Sequence, residues 1–163
     1  MQSEPNLLRF LDAQANDYTR ALAEIRNGRK QTHWVWYIFP QLAGLGYSEM
    51  ARFYAIKDLQ EAGAYLAHPV LGARLIEIAN ALLGVEGKTA NQILGSPDDV
   101  KVKSCMTLFG LVNPTDPVFD AILAKYYNGA LDNKTLHLAK NNSWGYGMVI
   151  SYTRSYLYGH RAK

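Results

Sequence analysis

One cysteine, Cys105, stands in a chain of 163 residues. It excludes an internal disulfide, and no cysteine cluster exists to hold zinc. The four histidines form no HExxH pattern, so no zinc-hydrolase centre is signalled either. No apolar run approaches the ~20 residues that a membrane helix needs. The opening MQSEPNLLRF has no basic start followed by an apolar stretch, the pattern of a signal peptide. These absences give the expectation of a cytoplasmic protein with no metal, no cofactor and no membrane partner. Repeats and Ser/Gly-rich linkers are also missing, so one domain is expected.

Acid is missing from one end. Residues 133–163 carry five basic side chains (Lys134, Lys140, Arg154, Arg161, Lys163) and no acidic one, a net +5. Residues 1–132 carry 12 basic and 14 acidic side chains, a net −2. A chain-wide nucleic-acid footprint does not fit this distribution; a basic tail does.

What is present is helical periodicity. Apolar residues make up 48% and charged residues 19%, an ordinary balance for a globular chain with a proper core. Leu7, Leu8, Leu11, Ala15, Tyr18, Leu22 and Ile25 recur every three or four residues, with Ser3 as N-cap, Pro5 in the first turn and Gly28 as stop. Further starts are read at Ser48, Asp58, Pro69, Thr89, Ser96-Pro97-Asp98-Asp99, Asp116-Pro117 and Asp132. The fold class expected is mainly α: one compact multi-helical domain of about eight helices over residues 1–140, with a short extended aromatic segment. Residues 141–163 read as an aromatic, basic C-terminal tail, its Ile150, Tyr152, Tyr156 and Tyr158 spaced for a strand or a docked segment.

The aromatic segment is HWVWYIFPQLAGLGYS, residues 33–48. Its aromatic and β-branched residues suit an extended conformation, and Pro40 biases Phe39 away from helix. Alternation makes both faces apolar, so the segment reads as a core element buried on two sides, tryptophans included. A second reading starts from its polar ends. His33 and Gln41 need partners if buried. Gly44 and Gly46 permit close backbone approach, and their amides could meet an anion. Trp36 and Tyr37 supply the aromatic wall common in small-molecule pockets.

DDVKVKSCMTLF, residues 98–109, is the other candidate. On a helix, Lys103 and Thr107 lie four apart with Ser104 beside them, a set that could bind phosphate or carboxylate. The same set also suits a solvated helix edge. His33 and Lys103 are expected to approach one pocket, with Gln41 close by. Cys105 reads as a small core residue, His68 as a cap-like turn residue, His137 as structural, and Asp98 and Asp99 as first-turn acids.

RFLDAQ (9–14), the aromatic segment, YAIKDLQEAGAYLAHPVLGARL (54–75) and DDVKVKSCMTLF together resemble the bacterial domain of unknown function 1810 family, over about residues 4–140. Some members carry the label calpastatin, but the disordered repeats of that inhibitor do not fit this compact chain. The layout from residue 98 to Trp144-Gly145 is also similar to the YbiA-type N-glycosidases. That likeness implies a carboxylate to stabilise an oxocarbenium-like state, with Glu49 or Glu61 as the acid.

Two functions therefore stand open. One is a small-molecule site for an anionic, nucleotide- or phosphosugar-like ligand, with N-glycosidase chemistry as its catalytic form. The other is a non-catalytic module contacting a protein, a nucleic acid or a second copy of the chain through its tail. The tail holds Trp144, Tyr146, Tyr152, Tyr156 and Tyr158, rings that favour leaving water. Truncation at Asn141 is expected to lower the melting temperature, or to turn a dimer into a monomer. Rapid tryptic trimming at Arg154 with no change in melting temperature would contradict this.

Overall fold

The computed structural model describes residues 6–142. Among these the chain forms nine helices: α1 (Leu8–Arg26), α2 (Val35–Ile38), α3 (Glu49–Phe53), α4 (Leu59–Ala67), α5 (Leu71–Leu83), α6 (Ala90–Leu94), α7 (Asp98–Gly110), α8 (Val118–Tyr127) and α9 (Asn133–Asn142). Eight correspond to the helices expected from periodicity and caps. The residues expected as a C-terminal tail, from 143 onward, lie outside the described residues, as do Ser3 and Pro5.

The capping chemistry is local. Ser48 accepts the Ala51 N–H (3.1 Å), and Asp58 accepts the Glu61 N–H (2.8 Å). Thr89 and Gln92 form a reciprocal capping box at α6. Asp116 and Asp132 accept the Val118 and Thr135 N–H groups. His68 does the same through Nδ1, which accepts from Val70 and Leu71 at 3.1 and 3.2 Å. At α1 the cap is Asn6, which accepts the Leu8 N–H. No side chain caps α7, so Ser96 does not play the part its position suggests.

The ninth helix, α2, corrects an expectation. The aromatic segment is not extended; it makes one helical turn, in which Phe39 N–H donates to the Val35 carbonyl (2.9 Å). An extended segment here would need a partner strand for its backbone groups. Among the described residues the only bridge is the isolated parallel pair Leu42–Ile56. The turn instead satisfies those groups internally, and Pro40 ends it with Phe39 at φ −121°. Trp36 also departs from expectation: it is half-buried, whereas Trp34 is 1% exposed. His137 is exposed on α9, its Nε2 3.2 Å from the Asn141 side-chain nitrogen.

α7 is the central helix. It packs on α8, α9, α4, α6 and α2, and is buried from Ser104 to Gly110. Burial pushes the Cys105 thiol well up, in keeping with a core residue. α1, α4 and α8 pack on α5. The α4–α5 corner is close enough to require glycine, since a Cβ on Gly72 would stand 1.9 Å from the Leu66 carbonyl oxygen. No single described helix is long and apolar enough to cross a membrane.

Two motif side chains of α1 hold this arrangement. Gln14, buried, donates to the Tyr37 carbonyl (2.8 Å) and the Tyr65 hydroxyl (2.9 Å), joining α1 to α2 and α4. Arg9 pairs with buried Glu61 at 2.7 Å and donates to the Ala55 carbonyl at 2.9 Å. Trp34→Ala is expected to cost about 3–5 kcal/mol in chemical denaturation. Trp36→Ala, which removes a half-buried ring, is expected to cost clearly less. Equal losses would contradict this difference in burial.

Candidate functional site

The site begins with a buried carboxylate. Glu24 lies in the last turns of α1 and is nearly inaccessible. It accepts hydrogen bonds from the Gln31 N–H, the Thr32 N–H (2.8 Å), the Thr32 hydroxyl (2.6 Å) and the Trp34 indole N–H (3.2 Å). Burial alone would raise its pKa. The bonds from Thr32, Gln31 and Trp34 outweigh that and bring the carboxyl below its ordinary value. Gly28, at φ +74°, turns the chain out of α1 so that residues 29–34 can fold back over Glu24.

The same loop is fixed to the start of α7. Lys30 N–H donates to the Ile93 carbonyl (2.7 Å) at the end of α6. The Lys30 side chain is only 5% exposed, and its ammonium pairs with Asp98 at 2.8 Å. It lies 4.9 Å from the centre of the Trp34 ring and also donates to the Thr32 carbonyl.

Between the loop and α7 an open cleft of about 380 Å³ remains. Lys30, Gln31, His33, Val35 and Trp36 line one side; Leu94, Ser96, Pro97, Asp98 and Lys101 line the other. The volume falls within the range usual for small-molecule pockets. A smaller recess of about 10 Å³ adjoins it, sharing Val35, Trp36 and Lys101 and adding Phe39, Gln41, Ala51 and Tyr54. That is room for about one water-sized group.

Lys101 stands where the two meet. Its ammonium is 5.1 Å from the centre of the Trp36 ring and 3.7 Å from Asp98, too far for a hydrogen bond. Among the described residues it forms no closer polar contact. The Trp36 indole N–H is buried and has no acceptor among the described residues. The cleft lining carries two lysines against one carboxylate.

Of the residues singled out in the sequence, His33 and Trp36 line the cleft, and Trp36 and Gln41 line the recess. The others go elsewhere. The Tyr37 hydroxyl reaches Asp17 on α1; burial and that contact push its pKa up. Gly44, at φ +98°, lies against Leu138 of α9, and a Cβ on Gly46 would stand 2.5 Å from that of Ala51. Both glycines permit packing. The Ser104 hydroxyl donates to the Val100 carbonyl (3.2 Å). Thr107 donates to the Lys103 carbonyl (2.9 Å) and accepts the Asp132 N–H (3.0 Å). Lys103, Ser104 and Thr107 line neither the cleft nor the recess.

The α7 lysine that does is Lys101. Two residues apart on a helix means about 200° around it, so Lys101 and Lys103 cannot serve one face. Sequence reasoning missed Lys30, Ser96, Asp98 and Lys101. The one available signal was Asp98 and Lys101 three apart at a helix start. Glu49 is exposed and Glu61 is paired with Arg9, and neither lines the cleft. Trp144-Gly145 lies outside the described residues.

The family model described as Protein of unknown function (DUF1810) matches residues 4–139. The chain belongs to this family. It is also similar to the conserved hypothetical protein Rv1873 from Mycobacterium tuberculosis, known from a crystal structure at 1.38 Å. The two are 46% identical, with a TM-score of 0.82 over 83% of this chain and 96% of that one. No curated protein matches. These findings fix family and fold, and the YbiA-type likeness gains nothing from them.

The Glu24 cluster yields a stability test. Glu24→Gln puts an amide N–H among donors and is expected to cost about 1–3 kcal/mol. The folded-state pKa is depressed, so the carboxylate's contribution is complete above its ordinary value of 4.5. It is lost as pH falls through the folded value. The stability gap between parent and variant should therefore narrow in acid, measured by urea denaturation from neutral pH downward. A gap that stays constant or widens would contradict the depressed pKa.

Proposed function

We propose that the cleft between residues 30–36 and the start of α7 binds a small anionic organic molecule, with Lys101 as the charged contact and Trp36 as an apolar wall. The observation that carries this is the state of Lys101. Lys30 is enclosed and closely paired with Asp98. Lys101 has only distant partners, a ring at 5.1 Å and a carboxylate oxygen at 3.7 Å. A partly enclosed ammonium beside an aromatic wall gains most from an anion that replaces its lost hydration.

Nucleotide- and phosphosugar-like ligands fall within this class. Glycosidic cleavage would ask more, namely a carboxylate free to face the reacting carbon. Asp98 is the carboxylate that lines the cleft, and it is tied to Lys30. Binding without cleavage is accordingly the function put forward. The interaction-module alternative rests on residues 143–163, outside the described residues.

The test is a thermal-shift screen with small organic anions, repeated on Lys101→Gln. A ligand at one hundred times its Kd stabilises by about 2.7 kcal/mol. In a domain of this size that is a rise of roughly 5–10 °C. Lys101→Gln should abolish the rise while its own melting temperature stays close to that of the parent. Equal ligand-induced shifts in both proteins would refute the role of Lys101.

A further inference from the structure

We infer that the ligand's anionic group is a carboxylate, seated with one oxygen in the recess between Trp36 and Gln41 while its organic body lies in the cleft. This rests on the cleft being a ligand site and says which anion it takes.

Three features of the recess carry the inference. The first is its donors. The Trp36 indole N–H is buried and has no acceptor among the described residues, an expensive state for a polar group. The Gln41 side-chain amide also makes no hydrogen bond to another described residue, although its nitrogen lies close over Gly46. Lys101 completes the set. Among the described residues no carboxylate lines the recess, whereas Asp98 lines the cleft. An oxygen placed there would meet donors and no negative charge.

The second feature is size. About 10 Å³ admits one water-sized group. A planar carboxylate can insert one oxygen edge-on. A phosphate that inserts one oxygen keeps two more spread tetrahedrally at the mouth, a bulkier fit than a planar carboxylate. The third is charge. Two lysines and one aspartate leave a single positive charge in the cleft lining, His33 aside. A carboxylate matches it with one negative charge, while a phosphate monoester carries about −1.5 to −2 at neutral pH.

Beyond the recess, Val35, Leu94 and Pro97 offer the cleft an apolar side for the ligand's body.

Calorimetric titration of the full chain with phenylacetate and phenyl phosphate tests this, since the pair shares one ring and differs in its anion. Phenylacetate is expected to bind about tenfold tighter or more, the worth of a hydrogen bond to a charged group. Trp36→Phe keeps a ring and removes the N–H. It should weaken phenylacetate about tenfold and leave phenyl phosphate within about twofold. Should Trp36→Phe fold poorly, Gln41→Leu gives the same readout, because the Gln41 amide bonds no other described residue. Phenyl phosphate binding as tightly as phenylacetate, with both lost in Lys101→Gln, would overturn the carboxylate and keep the cleft. Phenylacetate binding that ignores both recess variants would overturn the seat in the recess. Binding of neither probe at about 10 mM would overturn the carboxylate and the cleft together.

Discussion

Glu24 holds together a part of the chain that has no regular structure of its own. Residues 27–34 leave α1, reverse direction and return across it, and a loop that crosses a surface must account for its backbone amides. Two of them, from Gln31 and Thr32, donate to the Glu24 carboxylate, along with the Thr32 hydroxyl and the Trp34 indole. A buried carboxylate without such partners would be a heavy cost; with four donors it becomes the fixed point of the loop. Everything on the near side of the cleft follows from where this loop ends. Trp34 is pulled inward, so the single turn of α2 starts there, and two residues on, about 200° around, Trp36 lines the cleft.

The opposite side is set by α7. Its buried stretch from Ser104 onward locks the helix against α8 and α9, leaving its first turn to face the loop. Lys30 and Asp98 close the gap at one point. The cleft is the space that remains beside that closure, bounded by one short helix and the start of one long one. Cations are distributed unequally across it: Lys30 is part of the framework, and Lys101 is the charge left with loose contacts. This division is why one lysine is read as structural and the other as the binding group.

The fold was largely legible in the sequence. Helix starts at Ser48, Asp58, Thr89, Asp116 and Asp132 depend on side chains reaching backbone amides two or three residues away, an interaction written into short stretches. The aromatic segment was not legible, because its aromatic and β-branched composition favours a strand and no strand among the described residues lies beside it. The candidate site was legible in part. His33, Trp36 and Gln41 stand close together in the chain, so local pattern was enough to single them out. Asp98 and Lys101 meet them only through tertiary packing. Helical spacing alone could not distinguish Lys101 from Lys103, since the face that α7 buries is decided by its neighbours. Gly44 and Gly46 carried an ambiguous signal: close approach was correct, but to Leu138 and Ala51 rather than to a ligand.

The tethering of the loop by Glu24 can be measured at the amides themselves. Gln31 is an exposed residue, and without the carboxylate its N–H would face water. Native-state hydrogen exchange resolved at Gln31 and Thr32 is the direct observation. Both amides are expected to exchange slowly in the parent and to lose that protection in Glu24→Ala while α5 and α7 keep theirs. Gln31 and Thr32 amides that already exchange at unprotected rates in the parent would show that Glu24 does not hold the loop, and the cleft beside it would have no fixed wall.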